Sequence, residues 1–177
     1  MNRIYQAVGI FLIIFWSTSV AAEPDPSDKA QVSGRQLEVQ IEVNLRNLGL
    51  EFIEYKNWNE KRLHQEPNLT AVVTNVRYKS IYGHRPRVEF LLLDEGRAFL
   101  IEVKRQRVAG STDEKLPYVY ENALLNLKSG YEFILVMEGE GWKPGAVKWI
   151  KNKAELTDGF YVMSPSGFLN WIRANIL

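Results

Sequence analysis

The chain has 177 residues, 46% hydrophobic and 24% charged, with 22 basic and 21 acidic side chains. Those proportions describe one globular domain with a sizeable core and exclude a disordered or collagen-like chain, while the balanced charge argues nothing about nucleic acid. Cys is absent and the only histidines are His64 and His84, so disulfides, thiolate sites and a structural zinc are excluded; any metal must be held by oxygens, which selects magnesium, manganese or calcium.

Residues 1–22 open with Arg3, continue through the apolar run from Ile4 to Trp16 and end in Ser19-Val20-Ala21-Ala22. This is the pattern of a signal peptide, so the expectation is an exported protein, periplasmic or secreted. The alternative is a retained N-terminal membrane anchor, for which the run is short. No Cys follows it, so a lipoprotein anchor is excluded. Removing residues 1–22 takes Arg3 with it and leaves basic and acidic side chains equal in number. Residues 23–32, with Pro24 and Pro26, read as a flexible polar leader, and residues 33–177 as a single domain.

The first regular element is a helix over Gly34 to Leu48. Leu37, Ile41, Leu45 and Leu48 recur at helical spacing, Glu38, Glu42 and Arg46 form a polar row, and Gly49 stops the helix. A short strand over Leu50 to Tyr55, an irregular or helical excursion over Asn57 to Gln65 and a strand over Leu69 to Arg77 follow. Then come two apolar runs, Val88 to Leu93 and Ala98 to Val103, flanking Asp94-Glu95-Gly96-Arg97. The pattern predicts a tight β-hairpin turning at Glu95-Gly96. That register sets Glu89 directly opposite Glu102, the two carboxylates roughly 5 Å apart, and alternation brings Lys104 to the same face. One side of the hairpin is read as Val88, Phe90, Leu92, Phe99, Ile101 and Val103; the other is apolar through Leu91, Leu93, Ala98 and Leu100. Apolar on both faces, it belongs inside a sheet covered by helices on both sides. Facing acids at the end of such a strand repel unless a cation sits between them.

After the hairpin, Ser111 and Glu114 have capping-box spacing for a second helix running toward Lys128, with Pro117 in its first turn. Tyr131 to Met137 reads as a buried strand, and Gly139, Gly141 and Gly145 as a loop. A short helix over Ala146 to Ala154, a strand over Phe160 to Met163 and a helix over Ser166 to Ile176 close the chain. Basic residues flank the hairpin: Arg77, Lys79, Arg85 and Arg87 with His84 before it, Arg105 and Arg107 after the second acid. Tyr78 and Tyr82 are interleaved as rings able to stack on bases. A solvated charged loop is the plain alternative, and the tryptophans, Trp142, Trp149 and Trp171 among them, are read as core.

Glu102-Val103-Lys104, with Gln106 two residues on and Glu89 on the preceding strand, resembles the PD-(D/E)XK nuclease superfamily, in its phage-type and restriction-endonuclease-like members. The likeness extends over most of residues 33–177, although Glu89 stands where Asp is usual and Val88 where Pro is usual. The first-helix glutamate of the family looks like Glu38, with Glu42, one turn on, as the competitor. The stretch Gly110 to Tyr118 also resembles the family's segment after the lysine, placing Lys115 near phosphates.

The resemblance implies an α/β fold with a restriction-endonuclease-like core, in which a helix, a three-stranded meander, a crossover helix and a further strand build a mixed sheet. It implies hydrolysis of a phosphodiester in nucleic acid, as a DNA endonuclease, with Glu89, Glu102 and the Val103 carbonyl holding one or two magnesium ions, or manganese. Lys104 would orient or deprotonate the water, Glu38 complete the site and Gln106 position it. It implies no small-molecule cofactor and allows a homodimer. The runner-up is an exported or tethered nucleic-acid-binding domain that keeps the fold without the activity, and a third reading is a periplasmic interaction protein.

Overall fold

The computed structural model describes residues 26–59, 66 and 68–177. The proposed leader peptide over 1–22 and most of the excursion expected over 57–65 lie outside these residues. Helix α1 runs over Pro26–Asn47. It begins inside the segment expected to be an irregular leader, because proline is well suited to a helix's first turn, where its missing N–H and fixed φ cost nothing. Strand β1 (Glu51–Glu54) leads into a single 3-10 turn, then come β2 (Ala71–Arg77), β3 (Arg87–Asp94) and β4 (Arg97–Arg105). A 3-10 turn over Ser111–Lys115 opens α2 (Leu116–Leu127), followed by β5 (Glu132–Glu138), α3 (Pro144–Glu155), β6 (Phe160–Met163) and α4 (Pro165–Asn175). Ser111 does not cap: the 3-10 turn begins after Gly110 with no side-chain cap, and Pro117 sits in the first turn of α2.

The strands form one six-stranded sheet in the order β1-β2-β3-β4-β5-β6. The β2-β3-β4 meander is antiparallel, while β1 joins β2, β5 joins β4 and β6 joins β5 in parallel. Parallel neighbours require crossovers, and α2 and α3 supply those from β4 to β5 and from β5 to β6. On one face α2 and α3 place Leu116, Val119, Ala123 and Ile150 against Ala71, Val73, Leu91, Leu100, Phe133 and Leu135. On the other α1 and α4 place Leu37, Ile41, Leu45, Phe168 and Ile172 against Val72, Phe90, Leu92, Phe99, Ile101 and Ile134. Each fully buried Val, Leu, Ile or Phe among these is worth about 1.5–3 kcal/mol relative to exposure, which is what holds both helical layers down.

The hairpin turns where expected. Asp94 pairs with Arg97, and Glu95 (φ 45°) and Gly96 (φ 83°) both have the positive φ of a type I′ turn. The ladder keeps the expected register from that end through Phe90 and Ile101, then stops. Beyond it β3 stays with β2, Val88 against Val76, while β4 continues with β5, Glu102 against Leu135 and Lys104 against Met137. The two strands part like a fork, with Glu89 at the crotch.

One expectation about the hairpin is corrected here. Val88 packs with Leu91 and Leu93, not with Phe90 and Leu92. Strict alternation fails because Asn75, opposite Glu89, takes a left-handed φ of 56° and the pairing skips that step. Both strands therefore change face there, and Glu89 is turned sideways into the fork.

Candidate active site

Glu89 uses its carboxylate where a ladder partner would stand: its Oε2 accepts the main-chain N–H of Val103 at 2.8 Å. Glu102, only 7% exposed, projects from β4 and pairs with the ammonium of Lys104, two residues along the same face. That ammonium also lies 3.9 Å from Glu89 Oε1 and donates to the Val103 carbonyl at 3.3 Å. The three oxygen donors expected to hold a metal, from Glu89, Glu102 and Val103, thus converge on one positive charge, the Lys104 Nζ.

Electrostatics follow from this crowding. Burial first, and the Glu102 charge second, push the Glu89 carboxyl up to about 8, against the opposing pull of Lys104 and the Val103 N–H. Burial alone draws the Lys104 ammonium down, but Glu102 and Glu89 hold it above the ordinary lysine range. Glu38, on α1, is raised by partial burial, with Lys104 pulling it down and Glu102 pushing it up. The third carboxylate is therefore within electrostatic reach of the pair. Glu42, its competitor, forms an ion pair with Arg46 at 2.7 Å on the helix surface. An open groove of about 680 Å³ leads to Glu89 past Glu38, Glu42, Arg35, Thr74 and Asn75.

A divalent cation fits this donor set. Glu102 Oε2 is buried with no hydrogen-bond partner among the described residues, and a buried carboxylate oxygen left unmatched is costly unless a cation completes it. The site already holds one positive charge among the same oxygens. No group of three His, Asp or Glu side chains suited to a metal gathers among the described residues. Two carboxylates and a carbonyl would supply the protein's share, leaving the remainder to water and phosphate, as magnesium commonly requires.

The other expected residues divide. Gln106 is buried, its amide donating to Asp113 Oδ1 and to the Gly141 carbonyl, both at 2.7 Å. It ties two loops together, and its side-chain hydrogen bonds among the described residues go to them and not to Glu89 or Glu102. Burial would raise Asp113, but Lys143, 3.2 Å away, and Gln106 hold it below the usual range. Arg77 and Arg87 face each other across β2 and β3, exposed, with Lys79 and Arg85 exposed nearby. Arg105 is mostly covered and pairs with Glu138 at 2.6 Å, whereas Arg107 and Lys115 are exposed. Tyr78, expected to be able to stack on bases, is core: it packs edge-on against Phe133 at 6.3 Å. Trp142, Trp149 and Trp171 pack against the core as expected.

Three contributors escaped sequence reasoning. Asn75 stands at the kink opposite Glu89 with a positive φ of 56°; its signal is an Asn, a residue that tolerates that conformation, inside a Val-rich strand. Asn122 and Asn126 are buried on α2 and hold the β2–β3 loop, donating or accepting at Ile81 N, Lys79 O and the Tyr78 hydroxyl. Their signal is two amides at i, i+4 on the face that also carries Val119 and Ala123.

A family model described as a PD-(D/E)XK nuclease superfamily domain matches residues 29–174. No curated protein matches the chain. Among solved structures, the chain is similar to a protein of unknown function, AF1548, at 16% identity and a TM-score of 0.39, over 63% of this chain and 54% of that one. It is also similar to VC1899 from Vibrio cholerae at 12% identity and a TM-score of 0.43, over 85% of this chain and 37% of that one. The chain thus spans little more than half of the first protein and little more than a third of the second.

Proposed function

This chain belongs to the PD-(D/E)XK nuclease superfamily, and we propose that it hydrolyses phosphodiester bonds in nucleic acid, most simply as a magnesium-dependent DNA endonuclease. The observation that carries this reading is the convergence of Glu89 Oε1, a Glu102 carboxylate oxygen and the Val103 carbonyl on one cation, Lys104 Nζ. A bound divalent ion supplies charge for the phosphate and lowers the pKa of water. Glu89, Glu102 and the Val103 carbonyl hold it, and manganese meets the same oxygen donors. Lys104 keeps its proton and offsets negative charge growing on the phosphate. Glu38 extends the acidic side of the site from α1. Arg77, Lys79, Arg85, Arg87, Arg107 and Lys115 serve phosphates away from the scissile bond. Gln106 acts by positioning loops, and Arg105, paired with Glu138, acts by anchoring the end of β4.

Export is proposed with it, from Arg3, the apolar run and Ala21-Ala22, and makes foreign or environmental nucleic acid the substrate. A second reading, a nucleic-acid-binding domain without turnover, draws on one observation: among the described residues no three His, Asp or Glu side chains come close enough together to hold a metal ion between them. Incubating the full chain with plasmid, linear and single-stranded DNA, with and without magnesium, separates the two. Cleavage that appears with magnesium and stops in chelator supports the enzyme. Retention of DNA in chelator with no cleavage under either condition refutes it and leaves the binding domain.

A further inference from the structure

The loop between β2 and β3 carries a feature the catalytic machinery does not use. Tyr82, 73% exposed, stacks on Tyr118 of α2 (centroids 5.2 Å apart, planes 19°) and on His84 (6.2 Å, 27°). The two rings beneath are joined edge to edge, Tyr118 Oη and His84 Nε2 sharing a hydrogen bond at 3.2 Å. Tyr82 is therefore backed on one side, and with that much of it exposed its other face is open to solvent.

The loop is also built to stay in place. Ser80 N and Oγ both donate to the His84 carbonyl, at 3.1 and 2.9 Å. Asn122 accepts from Ile81 N at 2.9 Å, and Asn126 donates to the Lys79 carbonyl at 2.9 Å. Buried amides carry a desolvation cost, and here two of them hold an exposed loop. Mere packing does not need a tyrosine presented in this way.

Charge and position say what the open ring faces. Residues 77–88 contain Arg77, Lys79, Arg85 and Arg87 and no Asp or Glu, and none of the four forms an ion pair among the described residues. His84 lies five residues before Glu89, no more than about 18 Å along extended chain. Tyr78, at the start of the same loop, lies within electrostatic reach of Glu102, Tyr118 and Glu89 alike. An exposed aromatic face on a segment whose formally charged side chains are all cations suits a nucleobase joined to phosphates. Duplex bases hide their faces in the stack, so the base must be unpaired.

We propose that Tyr82, backed by Tyr118 and His84, is a stacking platform for an unpaired base of the substrate strand, so that the protein prefers single-stranded or frayed nucleic acid. This deepens the nuclease reading and rests on it. Its test is equilibrium binding of the full chain, in chelator so that nothing is cut, to a short oligothymidylate, to an abasic oligomer of equal length and charge, and to a blunt duplex.

Wild type should bind oligothymidylate more tightly than the other two. Tyr82→Ala should weaken oligothymidylate by about 5- to 150-fold, the range for one lost stacked base, and leave the abasic oligomer unchanged. Tyr82→Trp should restore the affinity. Equal wild-type affinity for base-bearing and abasic strands overturns the proposal, as does equal loss on both in Tyr82→Ala, or failure of Trp to restore binding. If Tyr82→Ala changes no nucleic-acid binding, the platform serves another class of partner and the proposal is wrong, while magnesium-dependent cleavage, measured separately, still upholds the nuclease reading. A wild type that binds no nucleic acid and cleaves none overturns both.

Discussion

Lys104 is the residue on which the site's balance turns, because its ammonium touches every oxygen donor assigned to the metal. Removing it leaves two buried acids facing each other with no counter-charge. Lys104→Ala should therefore destabilise the metal-free protein by on the order of 3 kcal/mol, bind magnesium at least as well as wild type, and cut turnover by about 100-fold or more. Denaturant melts with and without magnesium, alongside single-turnover cleavage, check all three, and undiminished turnover would refute the assigned role.

Glu89 gives a pH signature. Its carboxyl is raised to about 8 in the folded protein from a reference of 4.5. Between those values the folded state keeps a proton that the unfolded state has lost, so metal-free stability should fall as pH rises through that window and level off above it. Magnesium, which favours the ionised form, should flatten the fall, and Glu89→Gln should remove it. A wild-type urea midpoint that does not change with pH would contradict the assignment. Glu102→Gln should abolish metal-dependent cleavage, since an amide lacks the charge that holds the ion; cleavage at the wild-type rate would sink the mechanism.

At the scale of elements, the hairpin turn and the loops tied by Gln106 make separate predictions. Glu95 carries a φ of 45° in a type I′ turn, a conformation that Asn adopts more readily. Glu95→Asn should raise stability by about 0.5–1 kcal/mol without touching activity, read as a shift in urea midpoint. Gly141 does the opposite service. A Cβ there would stand 2.3 Å from the Val108 carbonyl oxygen, and Gly141 N already donates to the Gln106 carbonyl at 2.8 Å. Gly141→Ala should destabilise by about 1–3 kcal/mol, and a variant melting like wild type would show that these two loops are not held together. The kink at Asn75 belongs to this scale as well, since the β2–β3 pairing skips the step at which Asn75 stands opposite Glu89.

For the whole molecule, the cationic edge at residues 77–88 predicts a salt dependence. If Arg77, Arg85 and Arg87 reach phosphates, each Ala replacement should flatten the plot of log affinity against log salt by about 0.9 on duplex, or 0.7 on a single strand. Arg105→Ala should change stability more than slope, because its partner is Glu138 at 2.6 Å. An unchanged slope for the first three would remove that edge from the interface. The element order, the hairpin turn with its register as far as Phe90 and Ile101, the two-sided core and the grouping of Glu89, Glu102 and Lys104 were legible in the sequence. They rest on local rules: a period of two, a turn chemistry that admits positive φ, and apolar runs long enough to be buried on both faces. Three things were decided only by tertiary structure. The hairpin forks because β3 and β4 each have another strand to follow. Glu38 bears on the site because α1 is laid against β4, which brings it within electrostatic reach of Lys104 and Glu102. Tyr78 is buried while Tyr82 is displayed, because two asparagines from a helix far along the chain hold the loop between them. Each depends on which distant segment arrives alongside, and periodicity within one segment carries no record of that.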